Sequence, residues 1–314
     1  MPIPVAIFTY RRSAHTRATL EALAANTLAP QTDLYIFSDG PKSGDDVFAV
    51  KKVRELIKQV TGFASVTIIE RSTNMGLAQS IIVGVSELFE KFECIIVLED
   101  DLVTTKYFLS YMNAALDHYQ NDPFVFSVTG HTFPKNTLRI PKGYLYDTYA
   151  AYRCSSWSWG TWRDRWARVD WDMRYFECFC KDEKAQEELS RGGRDMTEML
   201  HMQHRGQIDS WAIRFCYAHS ANNMKCIYPI KTLVSNIGLD NSGTHSVHDS
   251  RFVHLKFDAD WQPAKFSPAE FPNPEITARF RAIWDTPSAK GAVSFYLPVK
   301  IKIVNTWKWL KGLI

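Results

Sequence analysis

Three consecutive carboxylates, Glu99, Asp100 and Asp101, follow the apolar run 94–98 (CIIVL). Crowded at the end of a buried strand, such groups repel one another unless a cation neutralises them. An all-oxygen set favours a hard divalent ion, Mg²⁺ or Mn²⁺. With few protein ligands, the rest of the coordination goes to water and phosphate oxygens. The triplet also reads as a solvated turn before a helix, where acids are welcome; the buried run ahead of it favours the metal. Aromatic residues form the second chemical signal. Residues 152–171 hold five of the ten tryptophans. Trp157 and Trp159 are candidates to stack on a sugar face, while Trp162 and Trp166, four apart, read as the core side of a helix. Arg153 reads as a substrate contact or an ion pair. His245 and His248 sit in the loop-rich stretch GTHSVHDSRFVH and are candidates for a further metal ligand or for ordinary packed or solvated residues.

Strand–helix alternation positions these groups. Residues 4–9, 33–38 (DLYIFS), 64–69, 94–98 and 124–128 read as strands. Helices read between them: one to about residue 26, one with apolar residues at 47, 50, 53, 56, 57 and 60, and one at 77, 81, 85, 88 and 89. A fourth, with face Phe108, Met112, Leu116 and Tyr119, has Thr104 or Thr105 as its expected cap. Such repetition predicts a mostly parallel sheet flanked by helices, with right-handed crossovers. Ligands of these sheets bind at the carboxyl ends of the strands. That rule selects the loops 10–13, 38–43, 71–76 and 99–103. After residue 130 the alternation fails: 131–160 reads as loop-rich, 181–205 and 208–219 as helical, and 235–275 as ordered loops over a site.

Composition excludes several classes. At 46% hydrophobic and 23% charged, the chain is neither disordered nor fibrous. It has no run of eighteen apolar residues, hence no expected bilayer span, and an N-terminal strand stands where a secretory signal would be. The net charge is +3, but residues 286–314 hold five lysines and no acid, so removing those five charges leaves −2. A near-neutral body does not suit nucleic acid. The six cysteines form no C-x-x-C pair. They read as reduced thiols, and the spacing of Cys178 and Cys180 is wrong for common structural zinc sites.

Taken in order, the motifs resemble glycosyltransferases of the GT-A fold, and within them the inverting N-acetylglucosaminyltransferase I type. That family closes a strand with an E-D-D triplet; the resemblance implies that Glu99 contacts the donor sugar, Asp100 the ribose and Asp101 the Mn²⁺. Its arginine-and-serine segment after the first strand is similar to residues 10–13 (YRRS), which makes Thr9, Arg11 and Arg12 donor-binding candidates. Its acidic, uracil-contacting turn resembles residues 38–40 (SDG), with Asp39 in that role. Its W-D-D-W-M-R segment resembles residues 208–214 (IDSWAIR), which implies that Asp209 is the catalytic base and Trp211 a sugar contact. Ser210 replaces the second aspartate and Ile208 the first tryptophan. Arg71 stands as the replacement basic nucleotide contact, and the closing H-L-K-F recurs at 254–257.

The resemblance thus implies a metal-dependent inverting transferase. It would move a sugar from a nucleotide-diphosphate donor, a UDP-sugar with UDP-GlcNAc among the candidates, to a carbohydrate or lipid-linked glycan, in surface polysaccharide synthesis. The expected organisation is a nucleotide-sugar half at 1–130, an acceptor and catalytic half at 131–285, and a basic Trp-containing tail at 286–314. Within that tail, residues 299–314 place Ile303, Trp307, Leu310 and Ile314 on one helical face, which suits an anionic membrane surface or docking on the body. The expected location is the cytoplasm, peripheral to the inner membrane face. Two competing readings are a sugar nucleotidyltransferase, which a glycine-free first loop disfavours, and a degenerate carbohydrate-binding scaffold.

Overall fold

The computed structural model describes residues 2–240, 258 and 260–285. His245, His248, the segment 254–257 and the tail 286–314 lie outside the described residues.

One eight-stranded sheet spans the chain. Its strands are β1 (Val5–Thr9), β2 (Asp33–Ser38), β3 (Ser65–Glu70), β4 (Cys94–Glu99), β6 (Val125–Thr129), β7 (Thr148–Ala151), β8 (Trp159–Trp162) and β9 (Lys225–Pro229). They lie in the order β3-β2-β1-β4-β8-β6-β9-β7. A two-stranded ribbon pairs β5 (Leu102–Thr104) with β10 (Val234–Asn236). The expected α/β class, a mostly parallel sheet flanked by helices, is what the chain forms. β1, β2, β3 and β4 pair in parallel, as do β6 and β9; β8 and β7 run against their neighbours.

The continuous apolar strands follow from burial on both faces. Val5, Ile7, Ile96 and Leu98 point into one core, and Ala6, Phe8, Ile95 and Val97 into the other. The first core is closed by α1 (Ser13–Ala24), α2 (Val47–Ile57) and α4 (Phe108–Tyr119). The second is closed by α3 (Leu77–Phe89), by α6 (Phe176–Lys181), α7 (Glu183–Ser190), α8 (Asp195–His204) and α9 (Trp211–Ala221), and by α10 (Pro274–Asp285). Each fully buried Ile, Leu or Phe stabilises the sheet by roughly 1.5–3 kcal/mol.

Several expectations are corrected. The stretch 131–160 holds strands as well as loops. β8 slots antiparallel between β4 and β6, where Gly160 lets the strand close on its neighbours: an added Cβ would lie 2.7 Å from Leu116 Cδ1 and 3.0 Å from the Ile95 carbonyl. Trp162 and Trp166 do not share a helix face. Trp162 ends β8 and enters one core; Trp166 ends the short α5 (Arg163–Trp166) and enters the other. Neither Thr104 nor Thr105 caps α4, which starts at Phe108 after Tyr107 without a side-chain cap bond; Thr104 instead accepts from Asn26 Nδ2 at 3.0 Å. The helical stretch 181–205 is broken at Gly192 and Gly193, the latter at φ +140°, a conformation that glycine tolerates.

Candidate active site

The register brings the ends of β1 and β4 together. Phe8 pairs with Glu99, so the chain leaving β1 passes the carboxylates leaving β4. Tyr10 N–H donates to Asp100 Oδ2 at 3.4 Å. Arg12 stands at the N-cap of α1, and its Nη2 lies 2.6 Å from Asp100 Oδ1 and 2.6 Å from Asp101 Oδ2. Thr19 Oγ1 on α1 donates to the Asp100 carbonyl at 3.0 Å and holds the turn. From the other side, Ile237 N–H donates to the Asp101 carbonyl at 2.9 Å. Gly238 then crosses the cluster so closely that a Cβ there would overlap Asp101 Oδ2 and sit 2.7 Å from Arg12 Nη1.

Three carboxylates thus share one guanidinium. Glu99 keeps a partly open surface, yet burial of its carboxyl, then the charges of Asp101 and Asp100, push it up to about 8 against the pull of Arg12. Burial also raises Asp100, with Arg12 opposing and Asp101 adding. For Arg12, burial alone would lower the guanidinium, but Asp100 and Asp101 overcome it and hold it above its ordinary value. Asp101 Oδ1 is buried and has no hydrogen-bond partner among the described residues. Such an orphaned carboxylate oxygen is costly without a proton or a cation, so the donor set fits a hard divalent ion at Asp101. Among the described residues no three His, Cys, Asp or Glu side chains are grouped to hold a metal, so further ligands would come from water or substrate.

Other candidates have structural duties. Thr9 Oγ1 donates to the Phe37 carbonyl at 3.3 Å and is buried, which turns it away from a donor. Arg11 pairs with Asp46 at 2.6 Å, and Tyr10 donates its hydroxyl to the same carboxylate at 2.8 Å. Arg71 is held by both Glu87 oxygens at 2.7 Å. Asp39 accepts from Gly40 N–H (2.8 Å), Asn74 Nδ2 (2.8 Å), Met75 N–H (2.9 Å) and Gly76 N–H (3.0 Å). With both oxygens filled, it ties the loop after β2 to the loop after β3. That replaces the expected uracil contact, because no acceptor position is left over.

The aromatic assignments divide. Trp159 is 1% exposed, packed against Trp166 (5.6 Å), Trp211 (4.9 Å) and Phe215 (5.1 Å). A ring enclosed on all sides cannot stack on a sugar, and the buried Trp211 is corrected for the same reason. Trp157 keeps an open surface. β8 runs antiparallel to β4 with Trp159 opposite Val97; Trp157 lies just before the strand, beyond Ser158 at φ +55°. It meets His131 edge-on at 4.6 Å; burial pushes that histidine down to about 3. Arg153 is not a substrate contact: it forms a buried two-pronged pair with Asp195 at 2.8 and 2.9 Å and covers the Trp284 ring at 3.7 Å. Cys154 meets Cys216 at 2.9 Å in the core, and all six cysteines are free thiols.

Asp209 precedes α9. Ser210 caps that helix, accepting from Ile213 N–H at 3.3 Å. The Asp209 side chain is 65% exposed and pairs with Arg214 at 3.2 Å. A short turn leads from α9 into β9, so α9 runs back over the sheet with its amino end towards the carboxyl edge. Asp46 is the residue that the sequence reading missed. Its only signal was the acidic GDD turn at 44–46.

No protein-family model matches the chain, and no curated protein does. Among solved structures it is similar to S. aureus TarS 1–349, at TM-score 0.42 and 11% identity, over 74% of this chain and 60% of that one. It is also similar to a longer S. aureus TarS structure, at TM-score 0.42 and 12% identity, over 74% of this chain and 36% of that one. A third likeness is to the mannosyltransferase PcManGT from Pyrobaculum calidifontis in complex with GDP-Man and Mn²⁺, at TM-score 0.37 and 13% identity, over 70% of this chain and 76% of that one. The chain spans less than two thirds of the length of the two TarS structures. At these TM-scores the likenesses carry no substrate or mechanism to this chain. Its family resemblance therefore rests on its own motifs.

Proposed function

We propose that the chain is a metal-dependent inverting glycosyltransferase that moves a sugar from a UDP-sugar to a hydroxyl of a carbohydrate or lipid-linked glycan. The observation that carries this reading is the buried Oδ1 of Asp101, without a hydrogen-bond partner among the described residues, in an acidic cluster bridged by Arg12.

Asp101 is the residue to hold Mn²⁺ or Mg²⁺, which when bound would offset the negative charge that grows on a departing diphosphate. Arg12 keeps Asp100 and Asp101 oriented and leaves the free Asp101 oxygen outside its own grip. Glu99 and Asp100 are the proposed donor-sugar and ribose contacts. Trp157, which keeps an open surface, offers an apolar face to a sugar. Asp209 is the proposed base: an exposed carboxylate at the amino end of α9, open to an acceptor and steadied by Arg214, takes the proton of the attacking hydroxyl.

The test combines ligand-dependent thermal stability with turnover. UDP should raise the melting temperature only when Mn²⁺ is present, since a ligand of the folded form shifts apparent stability. Asp101→Ala should abolish that shift. Asp209→Asn should keep it and lose transfer from UDP-sugars. Metal-independent UDP binding would sink the reading, and stabilisation by nucleoside triphosphates instead would point to nucleotidyl transfer.

A further inference from the structure

The helical half of the chain carries a basic cleft that the proposed transfer does not use. It opens between α10, the α7–α8 junction and Tyr152, with a volume of about 560 Å³, within the range of small-molecule sites. α10 builds it by having two unlike faces. Ile276, Phe280, Ile283 and Trp284 are buried against the sheet side. Thr277, Ala278, Arg281, Ala282 and Asp285, at helical spacing, line the cleft. Arg191 and Arg194 form the facing wall.

The cleft lies away from the acidic cluster. Ala151, just before Tyr152, pairs with Cys226 at the start of β9. That is the amino edge of the parallel strands, opposite the edge where Glu99, Asp100 and Asp101 emerge.

Its charges are unequally matched. Arg194 Nε and Arg281 Nε lie 3.7 and 3.4 Å from the same Asp285 Oδ2, beyond the roughly 2.7–2.9 Å of a well-made charged hydrogen bond. Asp285 also accepts from Arg194 N–H at 3.2 Å, so its own charge is well compensated. Arg281 Nε and Thr277 Oγ1 are buried without a hydrogen-bond partner among the described residues. Arg191 is fixed in place: it stacks on Tyr152 at 3.8 Å, donates to its hydroxyl, and pairs with Glu188 at 2.6 Å.

We propose that this cleft binds a phosphate ester. Guanidinium groups approach from two walls. That spread matches an anion with several oxygens around a tetrahedral centre; the two coplanar oxygens of a carboxylate would be consumed by one fork. The floor of Ala278 and Ala282 takes the carbon skeleton of the ester.

Glycerol phosphate is the probe, added to the full chain with ¹⁵N-labelled arginine. The Nε–H resonance of Arg281, identified by its loss in Arg281→Gln, should move saturably. Arg194→Gln should weaken binding about tenfold or more, as expected for a lost charge-assisted hydrogen bond. Its side chain is 74% exposed, so folding should not suffer. Asp285→Asn should tighten binding, the opposite sign from a generic structural defect. UDP–Mn²⁺ binding should be unchanged in both variants. An Arg281 resonance that does not move, or affinity equal in wild type, Arg194→Gln and Asp285→Asn, overturns the proposal. Flotation with phosphatidylglycerol vesicles separates the two sources of the group. If Arg194→Gln loses both glycerol phosphate and vesicles, the ester is a lipid headgroup; if it loses only glycerol phosphate, the ester is soluble.

Discussion

One guanidinium nitrogen of Arg12 serves two acids, lying 2.6 Å from Asp100 Oδ1 and 2.6 Å from Asp101 Oδ2. The Asp100 and Asp101 side chains are only 7% and 11% exposed. The bridge leaves the second oxygen of Asp101 without a hydrogen-bond partner among the described residues, and Glu99 is pushed up to about 8 by burial and by the two acids. Two acids against one guanidinium leave the cluster negative, and a bound cation would offset that charge.

Arg12→Gln should expose that imbalance. Removing one partner of a buried pair typically costs about 3–5 kcal/mol. The variant should lose about that much in urea unfolding without divalent metal and regain part of it with millimolar Mn²⁺. A loss below about 1 kcal/mol, as for an exposed pair, with no response to Mn²⁺, would mean that water already solvates the acids.

Gly238→Ala tests how closely the second half covers the first. A methyl group there would overlap Asp101 Oδ2 and crowd Arg12 Nη1, so either the segment at residues 237–238 lifts or the Asp101–Arg12 pair is pushed aside. Global stability should fall by about 1–3 kcal/mol, as for other insertions at a buried, closely packed position. Transfer should fall by roughly 100-fold, the cost of a displacement near 1 Å in a reacting site. Unchanged turnover would show that the turn moves freely and does not shape the site.

How far the sequence reaches depends on the range of the interaction. β1, β2 and α3 are legible because unbroken apolar runs and spacings of three and four record local burial. The gathering of Glu99, Asp100 and Asp101 at a strand end is legible for the same reason. β8 is not. WGTW at 159–162 is short, holds a glycine and reads like a loop, and only pairing with β4 and β6 makes it a strand. Asp46 is hidden similarly: its partners Tyr10 and Arg11 lie 36 and 35 residues away. The anchoring bonds of Asp39 are not legible either, because a carboxylate in a turn looks the same whether it faces a ligand or three backbone N–H groups.

Asp39→Asn separates those roles. The amide would turn an NH₂ towards donors that now meet oxygen, at a cost of about 1–3 kcal/mol. Hydrogen exchange at Met75 and Gly76, whose N–H groups bond to Asp39, should speed up in the ligand-free protein. If exchange there is unchanged while UDP binding falls, Asp39 contacts the nucleotide and does not anchor the loop.

His219 sets an acid limit on the fold. Its ring is fully buried between Phe126 and Phe215, at centroid distances of 4.4 and 4.7 Å. Nδ1–H donates to the Phe215 carbonyl at 2.7 Å, and Nε2 accepts from the Ser127 hydroxyl at 2.7 Å. Burial pushes the imidazole down to about 3, with the Phe215 carbonyl pulling the other way. The unfolded chain, with its histidine near 6.5, therefore takes up the proton first as the pH falls. The stabilising contribution is complete above pH 6.5 and is lost progressively from there down to about 3, at up to ~1.4 kcal/mol per pH unit. His219→Gln should be less stable at pH 7, yet its unfolding free energy should fall less steeply between pH 6 and pH 4, with about one proton fewer taken up. Parallel pH profiles for the two proteins would rule out His219 as that proton's site.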